Sequence, residues 1–301
     1  MRALVISGGG SKGAFAGGVA QYLMQEKSLN YDMFLGTSTG SLLISHLALQ
    51  KIEKIHEVYT TVTQNRIFSN CPFTIHRKYG AATIGINHWN VLKNLLRGSK
   101  TFGESHHLLK LIRKTLTKTE FETLQKGPKN VLVTVSNLSL NQVEYKSIND
   151  FDYDEFCEWI WISCNYIPFM SLVRKNGCEY ADGGLGSMVP IAEAIHRGAT
   201  VVDAIILHTE VTHVNRMPSK NPFSLLTNMF GFMLDRIEEQ NVKIGKFTAN
   251  YQDALINFYY TPTILTTNSL VFDREQMSKW WKSGYLYAAS RSEGSSELEL
   301  S

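Results

Sequence analysis

A serine between two glycines is the residue that best fits nucleophilic chemistry in this chain of 301 residues. The segment Gly36-Thr37-Ser38-Thr39-Gly40 follows a short apolar run and precedes an amphipathic one. In a G-x-S-x-G pattern, small flanking residues permit a sharp strand-to-helix turn that exposes the serine Oγ at a helix N-terminus. A glycine turn with a capping serine is the alternative, but the flanking strand and helix patterns favour Ser38 as a nucleophile.

A glycine run near the start of the chain could bind a negative charge. Gly8-Gly9-Gly10-Ser11-Lys12-Gly13 lies between a predicted strand and a predicted helix, where N–H groups at a positive helix end face a nearby anion. Gly8, Gly10 and Gly13 also satisfy the G-x-G-x-x-G dinucleotide fingerprint, with Asp32 about twenty residues further on, where a ribose-binding acid would be. From these residues alone, a nucleotide site, an oxyanion site and a purely structural turn all remain open.

A hydrolase serine also needs a general base. The α/β-hydrolase order is Ser, then Asp or Glu, then His, and its elbow normally follows several strands, whereas Ser38 follows the second. None of the nine histidines lies in a catalytic motif, and His208, at a predicted strand end, is kept as a triad candidate. Asp182-Gly183-Gly184 follows a strand-like run, and its glycines would let the carboxylate reach a neighbouring strand end.

Together, the three motifs resemble those of the patatin-like phospholipase family. That family has a glycine-rich loop, then G-T-S-x-G, then D-G-G or D-G-A. Ser163 to Pro168 is similar to its Ser-x-x-x-x-Pro segment, and Pro190 and Gly198-Ala199 resemble the stretch after D-G-G. The resemblance covers roughly residues 1–210.

The resemblance implies a Ser–Asp dyad at strand ends, with no histidine, cofactor or metal. Ser38 would be the nucleophile, Asp182 the general base, and the N–H groups of Gly8, Gly9 and Gly10 the oxyanion hole. The supporting motif residues would be Lys12, Gly13, Gly36, Gly40, Gly183 and Gly184. Lys12 stands where the family more often has Arg, which keeps the charge but loses the planar fork. Because the ordinary pKa of Asp is near 3.9, we expect burial to raise the pKa of Asp182, or the helix end and glycine loop to lower that of the serine.

Strands and helices alternate where these motifs must be positioned. Apolar runs at 3–6 and 32–35 are each followed by a helical pattern, at 12–25 and 40–58, which predicts a parallel sheet with helical crossovers. We therefore expect an α/β fold, a mostly parallel sheet flanked by helices on both faces. Residues 71–99 are predicted as loops and short elements. Further strands are predicted at 131–135, 143–145, 178–182 and 201–208, and further helices at 106–117, 156–164, 190–196, 223–244 and 277–289.

We find no repeat and no long linker, so one large domain is expected. Its catalytic core would be 1–210, followed by a helical and strand extension at 211–291 packed on the same domain and a loose tail at 292–301. Hydrophobic residues make up 44% and charged residues 19%, which excludes a disordered or collagen-like chain. Four cysteines without a C-x-x-C pair favour a reducing compartment.

Charge is concentrated in 77–129, where eleven Lys and Arg against three Glu give +8, compared with +3 for the whole chain. This region could face anionic lipid headgroups, or could simply be a solvated surface. An apolar set could form an interfacial or acyl-binding surface, or a core helix: Phe223, Leu226, Met229, Phe230, Met233, Leu234, Trp280 and Trp281. No signal-peptide or transmembrane pattern is present, so a cytoplasmic or peripheral membrane location is expected.

The expected function is that of a lipid acyl hydrolase, a phospholipase A-type serine esterase that forms an acyl-enzyme with a lipid or phospholipid ester. Acyl transfer to another acceptor is a variant of the same chemistry. The alternatives are a dinucleotide-binding oxidoreductase that uses Gly8, Gly10 and Gly13, and an inactive lipid-binding protein. No nucleic-acid motif is found, and the sequence does not indicate the oligomeric state.

Overall fold

A mixed sheet of eight strands positions the motifs in the computed structural model, which describes residues 1–78, 81–211, 218, 219 and 222–298. Two further strands form a separate hairpin. In chain order the strands are Arg2–Ile6 (β1), Met33–Thr37 (β2), Phe73–Lys78 (β3), Ala81–Ile86 (β4), Asn130–Asn137 (β5), Gln142–Ser147 (β6), Val173–Lys175 (β7), Cys178–Asp182 (β8), Val201–Ile206 (β9) and Leu255–Tyr260 (β10).

The sheet is parallel on one side and antiparallel on the other. Its order is β10-β9-β1-β2-β5-β8-β7, and the first five of these strands run parallel to one another. Strand β5 pairs antiparallel with both β6 and β8, and β7 pairs antiparallel with β8. Because the paired strands predicted at 131–135 and 143–145 correspond to β5 and β6, that prediction is confirmed.

Helices cover the two faces of the sheet. They are Gly13–Gln21 (α1), Thr39–Ala48 (α2), Ile52–Thr61 (α3), Gln64–Ile67 (α4), His88–Leu96 (α5), His106–Thr115 (α6), Lys118–Lys126 (α7), Tyr153–Ser163 (α8), Ile191–His196 (α9), Pro222–Gln252 (α10) and Arg274–Leu298 (α11). Among the described residues, no helix combines the length and apolar character needed to cross a bilayer.

Alternate side chains of β1 enter two separate cores, as expected for a strand covered on both faces. Leu4 and Ile6 pack in the larger core, with residues from α1, α2, α3, α6, α8 and α11. Ala3 and Val5 pack in the smaller core, with residues from α9 and α10. The expected α/β fold, with helices on both faces of a mostly parallel sheet, is therefore confirmed.

Several element boundaries differ from the sequence prediction. The single helix predicted at 40–58 is wrong, because α2 ends at Ala48 and Gln50 turns the chain with φ 58° before α3 begins. Helix α7 was not predicted, although Thr117 and Glu120 form a capping box at its start. Strand β10 lies in the extension at 211–291, where a strand was expected without bounds, and it adds to the parallel edge beside β9.

The segment after residue 210 contacts the rest of the molecule through both β10 and α11. Helix α11 packs closely along α1, where a Cβ on Gly284 would lie 2.1 Å from the carbonyl oxygen of Phe15. Trp281 of α11 is buried there and its ring lies 4.8 Å from that of His56. Helix α11 continues to Leu298 and so overlaps the tail predicted at 292–301, of which 299–301 lie outside the described residues.

Candidate active site

Ser38 stands at a sharp bend between β2 and α2. Its backbone has φ 52° and ψ −120°, a left-handed conformation that is costly for a residue with a side chain. The flanking glycines allow the bend, because a Cβ on Gly36 would lie 2.4 Å from the carbonyl carbon of Gly40 and one on Gly40 would lie 2.3 Å from the carbonyl oxygen of Ile6. The segment thus has the backbone of a nucleophile elbow.

Residues at the end of α8 hold the elbow in place. The Ser163 Oγ accepts a hydrogen bond from the Ser38 N–H at 2.9 Å and lies 2.8 Å from the Ser41 Oγ. The Cys164 Sγ donates to the Ser38 carbonyl oxygen at 3.1 Å. Sequence reasoning noted Ser163 only as part of the Ser-x-x-x-x-Pro similarity, and this supporting role was not predicted.

The pairing of β5 brings Ser38 and Asp182 together. Strands β2 and β6 both pair with residues 132–134 of β5, so they lie on opposite edges of that strand. Strand β8 pairs with residues 135–137 of β5. Because β6 already pairs with these residues on its own edge of β5, β8 must lie on the edge that β2 occupies. Thr37 pairs with Thr134 and Asp182 with Val135, and the ends of β2 and β8 therefore meet at consecutive positions.

Asp182 is buried, with 4% of its surface exposed. Its carboxylate accepts hydrogen bonds from the Gly184 N–H at 2.8 Å and from the Ser38 hydroxyl. Burial raises the pKa of Asp182 to about 7, against the lowering effect of these two hydrogen bonds. The expected rise in the pKa of Asp182 is therefore confirmed. Gly183 packs against β5, since a Cβ there would lie 2.3 Å from the Thr134 carbonyl oxygen.

The glycine loop passes directly beside Ser38. A Cβ on Gly8 would lie 3.2 Å from the Ser38 Cβ and 2.6 Å from the Met188 Sδ, so any side chain here would force Met188 to move. The Gly8 N–H donates to the Met188 carbonyl oxygen at 3.3 Å. Within the described part of the chain, the N–H groups of Gly9 and Gly10 have no hydrogen-bond partner. They are the donors in this loop that remain available to an anion.

Lys12 and Gly13, the last two residues of this loop, attach it to neighbouring elements. The Lys12 ammonium donates to the carbonyl oxygen of Leu207, and burial lowers the pKa of Lys12. Gly13 lets α1 approach α2, because a Cβ there would lie 2.2 Å from the Thr39 Oγ1. A lysine can make the Leu207 contact with a single donor, so this contact does not need the planar fork of the more common arginine.

Two candidates from the sequence make their polar contacts with residues other than Ser38 and Asp182, although His208 lines the same cavity as Ser38. His208 pairs with Asp235 of α10, with 3.5 Å between Nε2 and Oδ1. Asp32 precedes β2, at the opposite edge of the sheet from Ser38, where its Oδ2 accepts from the Arg2 N–H at 2.8 Å. A dinucleotide bound at the glycine loop would need its ribose-binding acid at the carboxyl end of β2, so this position argues against the nucleotide alternative.

A cavity of about 330 Å³ joins these groups to a mainly apolar interior. Ser38, Asp182 and Gly8–Gly10 line it, with apolar side chains from α2, α3, α6 and α8 behind them. Of the predicted apolar set, Leu234 lines the cavity, Phe230 packs on Tyr166 and Phe169, and Trp281 belongs to the core. The side chain of Phe223 lies outside the described residues.

Comparison with known proteins supports both the fold and the family. Residues 4–195 match the family model described as patatin-like phospholipase. The crystal structure of VipD from Legionella pneumophila is similar in fold, with a TM-score of 0.52 and 15% identity. The similarity covers 96% of this chain, which spans 66% of the VipD chain. No curated protein matches the sequence.

The family match covers well over half of the chain and includes all three motifs around the cavity. This protein therefore belongs to the patatin-like phospholipase family, whose members are lipid acyl hydrolases.

Proposed function

We propose that this protein is a phospholipase A-type serine esterase in which Ser38 and Asp182 form a catalytic dyad. The observation that carries the proposal is that the ends of β2 and β8 place Ser38 beside a buried carboxylate in one cavity. Burial raises the pKa of this carboxylate to about 7. A carboxylate with that pKa is a far better base for a serine hydroxyl than an ordinary aspartate. Gly9 and Gly10, whose N–H groups have no hydrogen-bond partner among the described residues, line the same cavity.

The reaction follows from these positions. Asp182 takes the Oγ proton as Ser38 attacks the ester carbonyl carbon, and the Gly9 and Gly10 N–H groups stabilise the oxyanion that forms. Asp182 then returns the proton to the leaving alkoxide, which produces the acyl-enzyme. A water molecule gives its proton to Asp182 and attacks the acyl carbonyl, and Asp182 returns that proton to the departing Ser38 Oγ, which releases the fatty acid and restores both residues. Gly8, expected in the oxyanion hole, serves this proposal through its close approach to Ser38.

A lipid surface is the proposed source of the substrate. Helix α5 exposes 75% of Trp89 and 79% of Leu96, with Leu92 between them on the same face. Lys93 and Arg97 are exposed beside this stripe, an arrangement typical of helices that lie in the interface of an anionic bilayer. Helix α5 directly follows the β3–β4 hairpin, whose Phe73 and Ile84 line the cavity.

The dyad is tested by turnover and by labelling. Ser38→Ala and Asp182→Asn should each lower hydrolysis of phospholipid vesicles and short p-nitrophenyl esters by at least about 10³-fold. A fluorophosphonate probe should label the wild-type protein at Ser38, and the exposed-serine control Ser290→Ala should be labelled equally well. Labelling that persists in Ser38→Ala would overturn the assignment. A folded wild type without turnover would instead support the inactive lipid-binding alternative.

A further inference from the structure

A short segment between β8 and α9 contacts two of the elements that form the candidate site. It comprises residues 187–189, which belong to no helix or strand. The Ser187 carbonyl oxygen accepts from the Thr37 hydroxyl at the end of β2, at 2.9 Å. The Met188 carbonyl oxygen accepts from the Gly8 N–H at 3.3 Å. The segment therefore attaches to both the elbow strand and the glycine loop.

The Met188 side chain lies between the glycine loop and the turn after Asp182. A Cβ on Gly8 would lie 2.6 Å from the Met188 Sδ, and a Cβ on Gly184 would lie 2.8 Å from its Cε. A shift of Met188 would therefore affect both the loop proposed to bind the oxyanion and the turn that follows the proposed base. Misplacement of reacting groups by about 1 Å can cost about 10²-fold in rate.

One side chain of α10 fixes the backbone of this segment. The Asn241 Oδ1 accepts hydrogen bonds from the Met188 N–H at 2.7 Å and from the Val189 N–H at 3.3 Å. Met188 and Val189 are buried, and within the described part of the chain neither N–H has another acceptor. Because a buried N–H without an acceptor is costly, the segment depends on this one oxygen atom for its conformation.

Close packing of α10 on α9 sets the position of Asn241. Gly245 lies one turn after Asn241, and a Cβ there would lie 2.7 Å from the Ile191 Cγ2. Residues spaced i and i+4 lie on one face of a helix, so Asn241 and Gly245 both face the chain around 188–191. Asn241 lies outside residues 4–195, the part of the chain that matches the family model.

We propose that Asn241 is a positioning residue for catalysis, because it holds Met188 and thereby the glycine loop beside Ser38. The inference rests on the proposed function, in which the N–H groups of Gly9 and Gly10 bind the oxyanion. Loss of the Asn241 oxygen should impair stabilisation of the transition state more than binding of the ester, because the apolar walls of the cavity stay in place.

The kinetics of two variants test this role. Asn241→Leu, which is similar in size but has no acceptor, should lower kcat for p-nitrophenyl butyrate by about 10- to 100-fold and change KM by less than about threefold. The Asn241 side chain makes no further hydrogen bond within the described residues, so Asn241→Asp retains both acceptor contacts and should keep kcat within about threefold of the wild type. Assays at pH 9 keep Asp182, with a pKa of about 7, ionised. Equal losses in the two variants would overturn the proposal.

An analogue of the oxyanion gives a readout that a purely structural role would not change. Octylboronic acid forms a bond from its boron to the Ser38 Oγ, Asp182 takes the hydroxyl proton, and the tetrahedral boronate carries the negative charge. Its inhibition constant should rise in Asn241→Leu by about the factor that kcat loses. The inhibition constant of octan-1-ol, a neutral competitor with the same chain, should stay at the wild-type value. Equal changes for both inhibitors would contradict a role in oxyanion binding.

Thr117→Ala is the control for a general loss of stability. It removes the hydroxyl that caps α7, a residue that does not line the cavity. The variant should unfold at a lower urea concentration than the wild type, yet keep kcat and both inhibition constants. If Thr117→Ala lowered kcat as much as Asn241→Leu at matched stability, the effect would be one of folding and the proposal would fail.

Ser38→Ala distinguishes failure of this inference from failure of the proposed function. If Ser38→Ala is inactive while Asn241→Leu matches the wild type in kcat and in boronate inhibition, the positioning role fails alone. If Ser38→Ala hydrolyses esters as fast as the wild type, or the wild type hydrolyses none, the proposed function fails and this inference fails with it.

Discussion

The proposed mechanism requires Asp182 both to accept a proton and to stay in place, and its surroundings suit both requirements. The Gly184 N–H and the Ser38 hydroxyl are its hydrogen-bond donors, and neither carries a charge. Two neutral donors orient the carboxylate and lower its pKa, but by less than burial raises it. An arginine or lysine in their position would have lowered the pKa of Asp182 and made it a poor base.

This environment predicts a pH dependence with a definite sign. Asp182 acts as a base only when ionised, so kcat/KM for a neutral ester should be highest above pH 7 and fall as the pH drops through about 7. The profile should follow a single ionisation, and kcat/KM should decrease about tenfold per pH unit below the pKa of Asp182. A stopped-time assay from pH 5 to 9 with p-nitrophenyl butyrate measures it, with unfolding monitored in parallel. A profile that is flat from about pH 4 upward would contradict an elevated pKa of Asp182.

The residues of the candidate site could largely be found from sequence because each needs a local backbone that only certain residues allow. Ser38 and Asp182 are both marked by glycines at fixed offsets. The Ser163 contact could not be found in this way, since a serine at the end of an apolar helix has no distinctive local pattern. Its role depends on α8 packing beside the elbow.

At the scale of elements, the elbow depends on how closely α2 approaches β1 and β2. Helix α2 starts directly at the bend, and Gly36 and Gly40 remove the side chains that would hold it away from the strands. The sequence predicted the strand, the turn and the start of the helix correctly. It placed the end of the helix wrongly, because the apolar spacing continues from α2 into α3 across the turn at Gln50.

The close approach predicts that Gly40→Ala damages both stability and activity. The new Cβ would lie 2.3 Å from the Ile6 carbonyl oxygen, so α2 must shift and Ser38 must move with it. We expect the free energy of unfolding to fall by about 1–3 kcal/mol, which is typical of overpacking. We expect kcat to fall by a larger fraction than the free energy of unfolding, because Ser38 is displaced. Urea unfolding and ester turnover measure the two effects.

Gly127→Ala is the control for that change. Gly127 ends α7 with φ −80°, which any residue adopts, and a Cβ there would lie 3.1 Å or more from its nearest neighbours. The ester turnover of Gly127→Ala should remain near that of the wild type. If Gly40→Ala were as stable and active as Gly127→Ala, the tight fit of the elbow would not matter for catalysis.

At the scale of the whole molecule, the cavity and the apolar stripe of α5 belong to one region. The β3–β4 hairpin lines the cavity with Phe73 and Ile84, and α5 extends from it with Trp89 exposed. The sequence identified 77–129 as basic but left its arrangement open. Lys129 precedes β5 and so lies at the sheet edge opposite Ser38, where it donates to the Ala48 carbonyl oxygen. The proposed lipid contact therefore involves α5 and not the whole basic stretch.

The α5 surface predicts binding to anionic vesicles. Trp89→Ala/Leu96→Ala should weaken binding to vesicles that contain phosphatidylserine by at least about tenfold, because each large side chain contributes roughly 1.5–3 kcal/mol when buried. Wild-type binding should also weaken as salt increases, since Lys93 and Arg97 act through screened charge. Vesicle sedimentation with Ser38→Ala measures this without hydrolysis. Leu140→Ala, an exposed leucine in the β5–β6 turn, is the control, and an equal effect there would contradict the assignment.

Strands β2 and β8 meet end to end on one edge of β5, so β5 sets the spacing between Ser38 and Asp182. Thr134 and Val135 are neighbours in the chain, so the spacing of their partners is set by a single peptide unit and not by side-chain flexibility. One residue inserted between them would separate the two strand ends by roughly 3.3 Å and turn one of them to the other face. If Ser38 and Asp182 act together as proposed, an insertion in the middle of β5 should abolish activity although β5 carries neither residue.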